Sequence, residues 1–282
     1  MNQSLTDIEI IVVNDCTPDN SMAIVRELAE ADMRIQIIEN QKNRGLMMTR
    51  KVAYGIAKGD YITFCDSDDT MPQNALKDLY EAAVETGADI VAGAMEYVPV
   101  KGERQYKTNK LSYGSDSIGM YRSLLTDEMN QNLCSKLFLK SLLQGFDYQT
   151  YENATYGEDG NLNYQVVEHI HKCVTIDSVV YEYRQNEESA THTRKNEKAL
   201  ISLTHLQEIR YGIALRHPEL KKLIFRKISL VYLESKLDED LEPYFKAAGL
   251  DQFTHFVPDL MRQKFFVAVK YLIRYVYHKK RG

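Results

Sequence analysis

Through its N-terminal part the chain alternates short apolar runs with amphipathic segments. Ile8-Glu9-Ile10-Ile11-Val12-Val13 is apolar and β-branched, and predicts a strand buried on both faces, as in a parallel sheet. It stops at the turn-forming stretch Asn14-Asp15-Cys16-Thr17-Pro18. Asp19, Asn20 or Ser21 can cap the helix that follows, with Ile24, Val25 and Leu28 on its apolar face. Ile35–Ile38 reads as a second strand, 40–45 as a polar loop, and Leu46–Lys58 as a helix ended by Gly59. Tyr61–Cys65 is a third strand and closes on Asp66-Ser67-Asp68-Asp69. Pro72–Thr86 is a helix with Leu76, Leu79, Tyr80 and Ala83 inward, and Asp89–Gly93 is a fourth strand.

This alternation predicts an α/β fold, a mostly parallel sheet with helices on both faces. Ligands of such sheets sit at the carboxyl ends of the strands. Asp15 and the Asp66–Asp69 cluster both fall there.

Beyond Lys101 the regularity falls. Gly102–Gly114 predicts a loop or irregular hairpin, and Ser117–Leu125 and Ser135–Leu143 predict short helices. Gly157-Glu158-Asp159 opens a further helix over Asn161–Ile170, and Val174–Tyr183 alternates as a strand. From Asn196 onward the pattern is helical, with a break near Pro258. The boundary this implies separates a catalytic-type domain, 1–195, from a helical extension, 196–282.

Composition narrows the class. The chain has 282 residues, 44% hydrophobic and 27% charged, which suits a folded domain and excludes wholesale disorder. A net charge of −5 gives no global basic field for nucleic acid. Cys16, Cys65, Cys134 and Cys173 are far apart and show no metal-ligand spacing, so a reduced, cytoplasmic protein is expected. Met1–Asp7 is polar and lacks the apolar core of a secretory signal.

Chemistry concentrates in the acidic turns. Asp66 and Asp68, two residues apart after a strand, can face one hard divalent cation such as Mg²⁺ or Mn²⁺. The same acids could cap the helix that follows, although acids this crowded repel one another and a cap needs only one. Asp15 could accept hydrogen bonds from a base or ribose, or make an Asx-turn. Arg50 could reach a diphosphate or lie on the surface. Glu158 and Asp159 could complement a helix dipole, or one of them could strip a proton from an acceptor hydroxyl. His192 lies in a polar stretch, as a ligand or simply exposed.

Taken in order, Ile8–Ser21 (IEIIVVNDCTPDNS), Ile38–Arg50 (IENQKNRGLMMTR) and Ala57–Asp69 (AKGDYITFCDSDD) resemble the family 2 inverting glycosyltransferases of the GT-A fold. Ser135–Leu143 (SKLFLKSLL), Tyr156–Asn161 (YGEDGN), Val180–Arg184 and Ser189–Thr191 continue the resemblance, which covers residues 2 to 195. It implies that Asp15 reads the nucleotide base and that Arg50 lies near the ribose and diphosphate. It implies Asp66 near the ribose, Asp68 on a Mn²⁺ or Mg²⁺ ion, and Asp159 as general base with Glu158 beside it. The implied partners are a nucleotide-sugar donor, UDP-linked by preference, and a glycan or lipid-linked acceptor.

The chain departs from the family in places. Asn14-Asp15 and Cys16-Thr17 stand where the family has two aspartates and Gly-Ser, and Arg50-Lys51 where it has Arg-Asn. Met1–Ile8 resembles only the end of the family's first helix, so the first strand and most of that helix are expected to be missing. The loss would leave Ile10–Val13 and Tyr61–Cys65 either pairing directly or facing a gap. An inactive remnant or binding module is the alternative this raises. Asp66-x-Asp68-x-Thr70 also fits a haloacid dehalogenase-type phosphatase with Asp66 as nucleophile and Asp68 as acid/base.

At the carboxyl end, Phe265, Val269, Leu272 and Val276 recur at helical spacing beside Lys264, Lys270, Arg274 and the cluster 278–281. An apolar stripe next to basic residues predicts peripheral contact of 261–281 with an anionic membrane surface. The plainer reading is a terminal helix packed on the catalytic domain.

Overall fold

The computed structural model of the chain describes residues 1–154, 157–185 and 197–236. It forms two compact units, Met1–Thr193 and Arg194–Gly282. In the first, β1 (Ile10–Asn14) and β2 (Ile35–Glu39) pair in parallel, with α1 (Ser21–Ala31) crossing between them. α2 (Leu46–Ile56) then leads to β3 (Tyr61–Thr63), and α3 (Ala75–Thr86) to β4 (Ile90–Val98). β5 (Gln105–Lys107) returns along β4 as the far arm of a hairpin. α4 (Ser117–Leu125), β6 (Lys136–Leu139), α5 (Lys140–Gln144), α6 (Glu158–Val166) and β7 (Cys173–Arg184) follow.

The second sheet runs β3-β6-β4-β5, with β7 also on β4. β4 and β7 are parallel, whereas β3–β6, β4–β6 and β4–β5 are antiparallel. Ser135–Leu143, expected as a helix, supplies β6 and only then turns helical. Leu137 and Phe138 fill the slot between β3 and β4 and are buried there, so ladder bonds on both sides outweigh the helical preference of the Leu-rich sequence.

β1 and β3 do not pair with each other; they belong to separate sheets. Each has one strand edge with no strand partner among the described residues. β1 is accordingly half-buried along its length, not buried on both faces as its composition predicts. Continuous burial of a strand needs neighbours on both edges as well as helices on both faces. The helix beside it shows the same effect. Met22 is buried, but Ile24 is 59% and Leu28 40% exposed, because α1 packs on a narrow two-stranded sheet and covers only a thin stripe. On α3, Ala75, Leu79 and Ala83 face inward, while Tyr80 is 40% exposed.

Residues 1–9 carry no helix; Gln3 ties them to α3, its Nε2 donating to the Pro72 carbonyl at 2.9 Å and its Oε1 accepting from the Leu76 N–H at 3.1 Å. In the second unit, α7 (Glu197–Arg216) and α8 (Lys221–Lys236) pack around Ile213, Leu220, Ile224 and Ile228. Among the described residues no helix is long and apolar enough to cross a membrane. Ser189–Thr191, His192, Pro258 and the basic segment 261–281 lie outside the described residues.

Candidate active site

The entrance to α2 is organised by Asp15. Its carboxylate accepts from the backbone N–H groups of Arg44 at 2.9 Å and Gly45 at 2.8 Å, and from Asn40 Nδ2 at 2.7 Å. Burial alone would raise its pKa, but these donors outweigh burial and hold the carboxyl below the usual range. Gly45 is fixed by geometry: its φ is +84°, and a Cβ there would meet the Asn153 Cα at 2.9 Å. Asp15 is thus where the sequence analysis expects it, at the carboxyl end of β1, and it also pins the loop that starts α2.

That helix carries Arg50, which is buried. A buried guanidinium must be paired, and Arg50 joins three acids from two distant segments. Its Nη2 donates to Asp66 Oδ1 at 2.8 Å, its Nη1 donates to Asp159 Oδ1, and Glu158 Oε1 lies 3.9 Å from Nη1. The Phe64 ring lies under its Cζ at 5.8 Å. Burial opposes the charge on Arg50, but Asp159 and Asp66 more than restore it and raise its pKa. Arg50, Asp66, Glu158 and Asp159 are therefore one cluster, although their segments lie up to 109 residues apart.

The acidic turn resolves its own crowding by dividing its members. Asp66 faces Arg50, Asp68 is exposed, and Asp69 turns into the fold. Tyr181 of β7 donates to Asp69 Oδ2 at 2.6 Å, and the Arg184 N–H donates to Asp69 Oδ1 at 2.7 Å. Tyr181 also accepts from the Asp66 N–H at 3.2 Å. Burial raises the Asp69 pKa, and the neighbouring Asp68 and Asp66 raise it further.

At the start of α6 the two acids differ. Asp159 Oδ2 accepts from the Leu133 N–H at 3.4 Å while Oδ1 is held by Arg50. Glu158 is the more buried, and burial together with the charge of Asp159 pushes its pKa up to about 7.

A divalent cation is the cofactor these acids imply. Among the described residues no group of three or more His, Cys, Asp or Glu side chains is placed to hold one. The acidic turn offers such an ion the half-buried Asp66 and the exposed Asp68. A hard ion is commonly held by one or two carboxylates, with substrate phosphates and water completing its shell. Asp69 is withdrawn from such a site by Tyr181 and Arg184.

Tyr181, Asp69 and Lys136, which carry no role in the sequence reading, are also buried in this region. The excess of acids in the turn was the available signal for Asp69. Lys136 lies in an otherwise apolar strand, a placement that itself flags a paired ammonium.

Residues 1–145 match the family described as Glycosyl transferase family 2, and the chain belongs to that family. "Glycosyltransferase GlyA" of Streptococcus pneumoniae serotype 4 is 32% identical over 198 residues, 65% of this chain and 27% of GlyA. "Uncharacterized glycosyltransferase EpsJ" of Bacillus subtilis is 28% identical over 236 residues, 76% of this chain and 65% of EpsJ. The chain thus spans less than two thirds of the length of either relative. In fold it resembles residues 1–349 of S. aureus TarS, solved with UDP-GlcNAc. The TM-score is 0.60 at 19% identity, over 81% of this chain and 73% of that one. It also resembles the mannosyltransferase PcManGT of Pyrobaculum calidifontis, solved with GDP-Man and Mn²⁺. There the TM-score is 0.53 at 14% identity, over 89% of this chain and 77% of that one. Family membership replaces the phosphatase alternative.

Proposed function

We propose that this chain transfers a sugar from a nucleotide-sugar donor, UDP-linked by preference, to an acceptor hydroxyl with inversion at the anomeric carbon. The observation that carries this reading is the Arg50 bridge. One guanidinium links Asp66, on the acidic turn where a nucleotide would be read, to Asp159, at the head of a separate helix. Donor-side and acceptor-side acids then share one buried cation.

In the proposed step Asp159 accepts the proton of the acceptor hydroxyl. The hydroxyl oxygen bonds to the anomeric carbon as the bond to the nucleoside diphosphate breaks on the opposite face. Arg50 orients the Asp159 carboxylate through its Nη1, and its positive charge favours the leaving diphosphate. Asp15 serves the nucleotide side through the loop it pins. Glu158, with a pKa near neutrality, buffers the charge beside the base. Asp66 and Asp68 would hold Mn²⁺ or Mg²⁺, whose charge would stabilise the diphosphate.

The test is nucleoside diphosphate release by the full chain from a panel of UDP- and GDP-sugars, with Mn²⁺ or Mg²⁺, with and without glycan acceptors. Release from a UDP-sugar that depends on Asp159 is expected. Release from GDP-sugars alone would move the donor preference, and release from neither would overturn the reading.

A further inference from the structure

Lys136 has no part in the step just described, yet its position calls for one. It lies on β6 between β3 and β4 and is fully buried. Its backbone carbonyl accepts from Thr63 Oγ1 at 2.8 Å, which fixes it in the sheet. Burying an ammonium is costly unless its donors are met, and an apolar residue of similar volume often packs as well.

Lys136 Nζ donates to the carbonyl of Asn130 at 2.7 Å and to that of Asn132. From α6, one turn beyond Asp159, Asn163 Nδ2 donates to the carbonyls of Gln131 and Asn132, the latter at 3.3 Å. Consecutive carbonyls of the segment before β6 are thus gripped by a strand lysine and a helix asparagine. With those carbonyls fixed, the next peptide N–H, that of Leu133, faces Asp159 Oδ2.

We propose that Lys136 is a positioning residue for Asp159: its ammonium fixes the carbonyls of Asn130 and Asn132 so that the Leu133 N–H holds one oxygen of the base while Arg50 holds the other. The proposal rests on the reading of Asp159 as the base. A carboxylate held at both oxygens from two directions is limited to a narrow range of orientations. An offset of about 1 Å at a reacting group can cost about 10²-fold in rate. Burial pushes the ammonium down to about 8, and the charge of Asp159 resists that shift. Cys173 of β7, Cys134 beside Leu133, and Lys107 of β5 are the other titratable groups acting on it.

The test compares the full wild-type chain with Lys136→Met and Lys136→Ala. Three quantities are read: amide hydrogen exchange across 130–135, affinity for UDP, and UDP release from UDP-sugars. Lys136→Met is expected to lose at least about 10-fold of the Leu133 protection and about 10²-fold of turnover, with UDP affinity within about twofold. Propylamine, but not propanol, is expected to restore part of the turnover of Lys136→Ala. Unchanged Leu133 protection would overturn the proposal, as would turnover and affinity falling together. Should Lys136→Met fail to fold, Lys136→Ala with propylamine carries the same comparison, and restored folding without restored turnover refutes the claim. A wild-type chain that releases nothing from any donor sinks the sugar-transfer reading. Exchange at Leu133 then still decides whether Lys136 sets the contact to Asp159.

Discussion

Tyr181 donates its hydroxyl hydrogen to Asp69 Oδ2 at 2.6 Å and, through the same oxygen, accepts from the Asp66 N–H at 3.2 Å. One phenol from β7 therefore fixes both ends of the acidic turn. Asp69 is directed inward and Asp66 is left facing Arg50. Tyr181→Phe keeps the ring but leaves a buried carboxylate oxygen and a backbone N–H without this partner. Each such loss typically costs about 1–3 kcal/mol. Urea unfolding is expected to show a deficit of at least that size, and nucleotide affinity should fall as the turn loosens. An unaltered midpoint would mean that water replaces the hydroxyl at no cost.

Glu158 makes stability depend on pH in a definite direction. Its pKa is about 7 in the fold against an ordinary 4.5, so between those values the folded chain holds a proton that the unfolded chain has released. Stability must then fall as pH rises from about 4.5 to about 7. Asp69, also raised, acts in the same direction. Asp15 and Asp32, whose pKa values are lowered, act oppositely but below this window. Melting temperatures of wild type and Glu158→Gln across pH 4 to 8 check this, with the amide variant expected to show the flatter curve. Parallel curves would show that Glu158 is charged in the fold throughout.

The metal reading makes its own demand. Asp66 is engaged by Arg50, and Asp68 is exposed, where an incoming ion can reach it. Asp68→Asn should weaken Mn²⁺-dependent UDP binding in titration calorimetry and leave the melting temperature of the unliganded chain unaltered. Binding that survives a chelator at full strength would remove the ion from the scheme.

For Asp159, a general base contributes about 10²–10⁴-fold to rate. Asp159→Asn should lose turnover on that scale and keep donor affinity. Turnover at the wild-type level would transfer the role to Glu158.

Much of this was legible in the sequence. The apolar runs and the acids at their ends marked Asp15 and Asp66, and Gly157-Glu158-Asp159 marked the start of α6, because strand ends and helix starts are written locally. What stayed hidden depends on partners far along the chain. β6 reads as a helix by composition, and only the slot between β3 and β4 makes it a strand. Ile24 and Leu28 read as core, but core requires a surface opposite them, and a two-stranded sheet offers little. Arg50 could be named as a phosphate ligand, yet its burial among Asp66, Glu158 and Asp159 comes from contacts across 16 to 109 residues. No local pattern encodes these.

Arg50 carries the last prediction. Arg50→Met keeps much of the volume and leaves Asp66, Glu158 and Asp159 facing one another with no shared cation. Removing one partner of a buried ion pair typically costs about 3–5 kcal/mol, because the remaining charges stay desolvated. Asp66 and Asp159 are partly exposed, which screens some of that loss, so the lower end of the range is expected at neutral pH. The deficit should shrink as pH falls toward 5, since protonating a carboxyl removes the repulsion that the guanidinium had cancelled. Arg50→Lys should recover only part of the loss, because an ammonium is a single point charge and cannot reach toward Asp66 and Asp159 with separate nitrogens. Urea unfolding of the three chains at pH 5 and pH 8 decides it. A deficit that is the same at both pH values would show that Arg50 stabilises by packing on Phe64 and not by its charge.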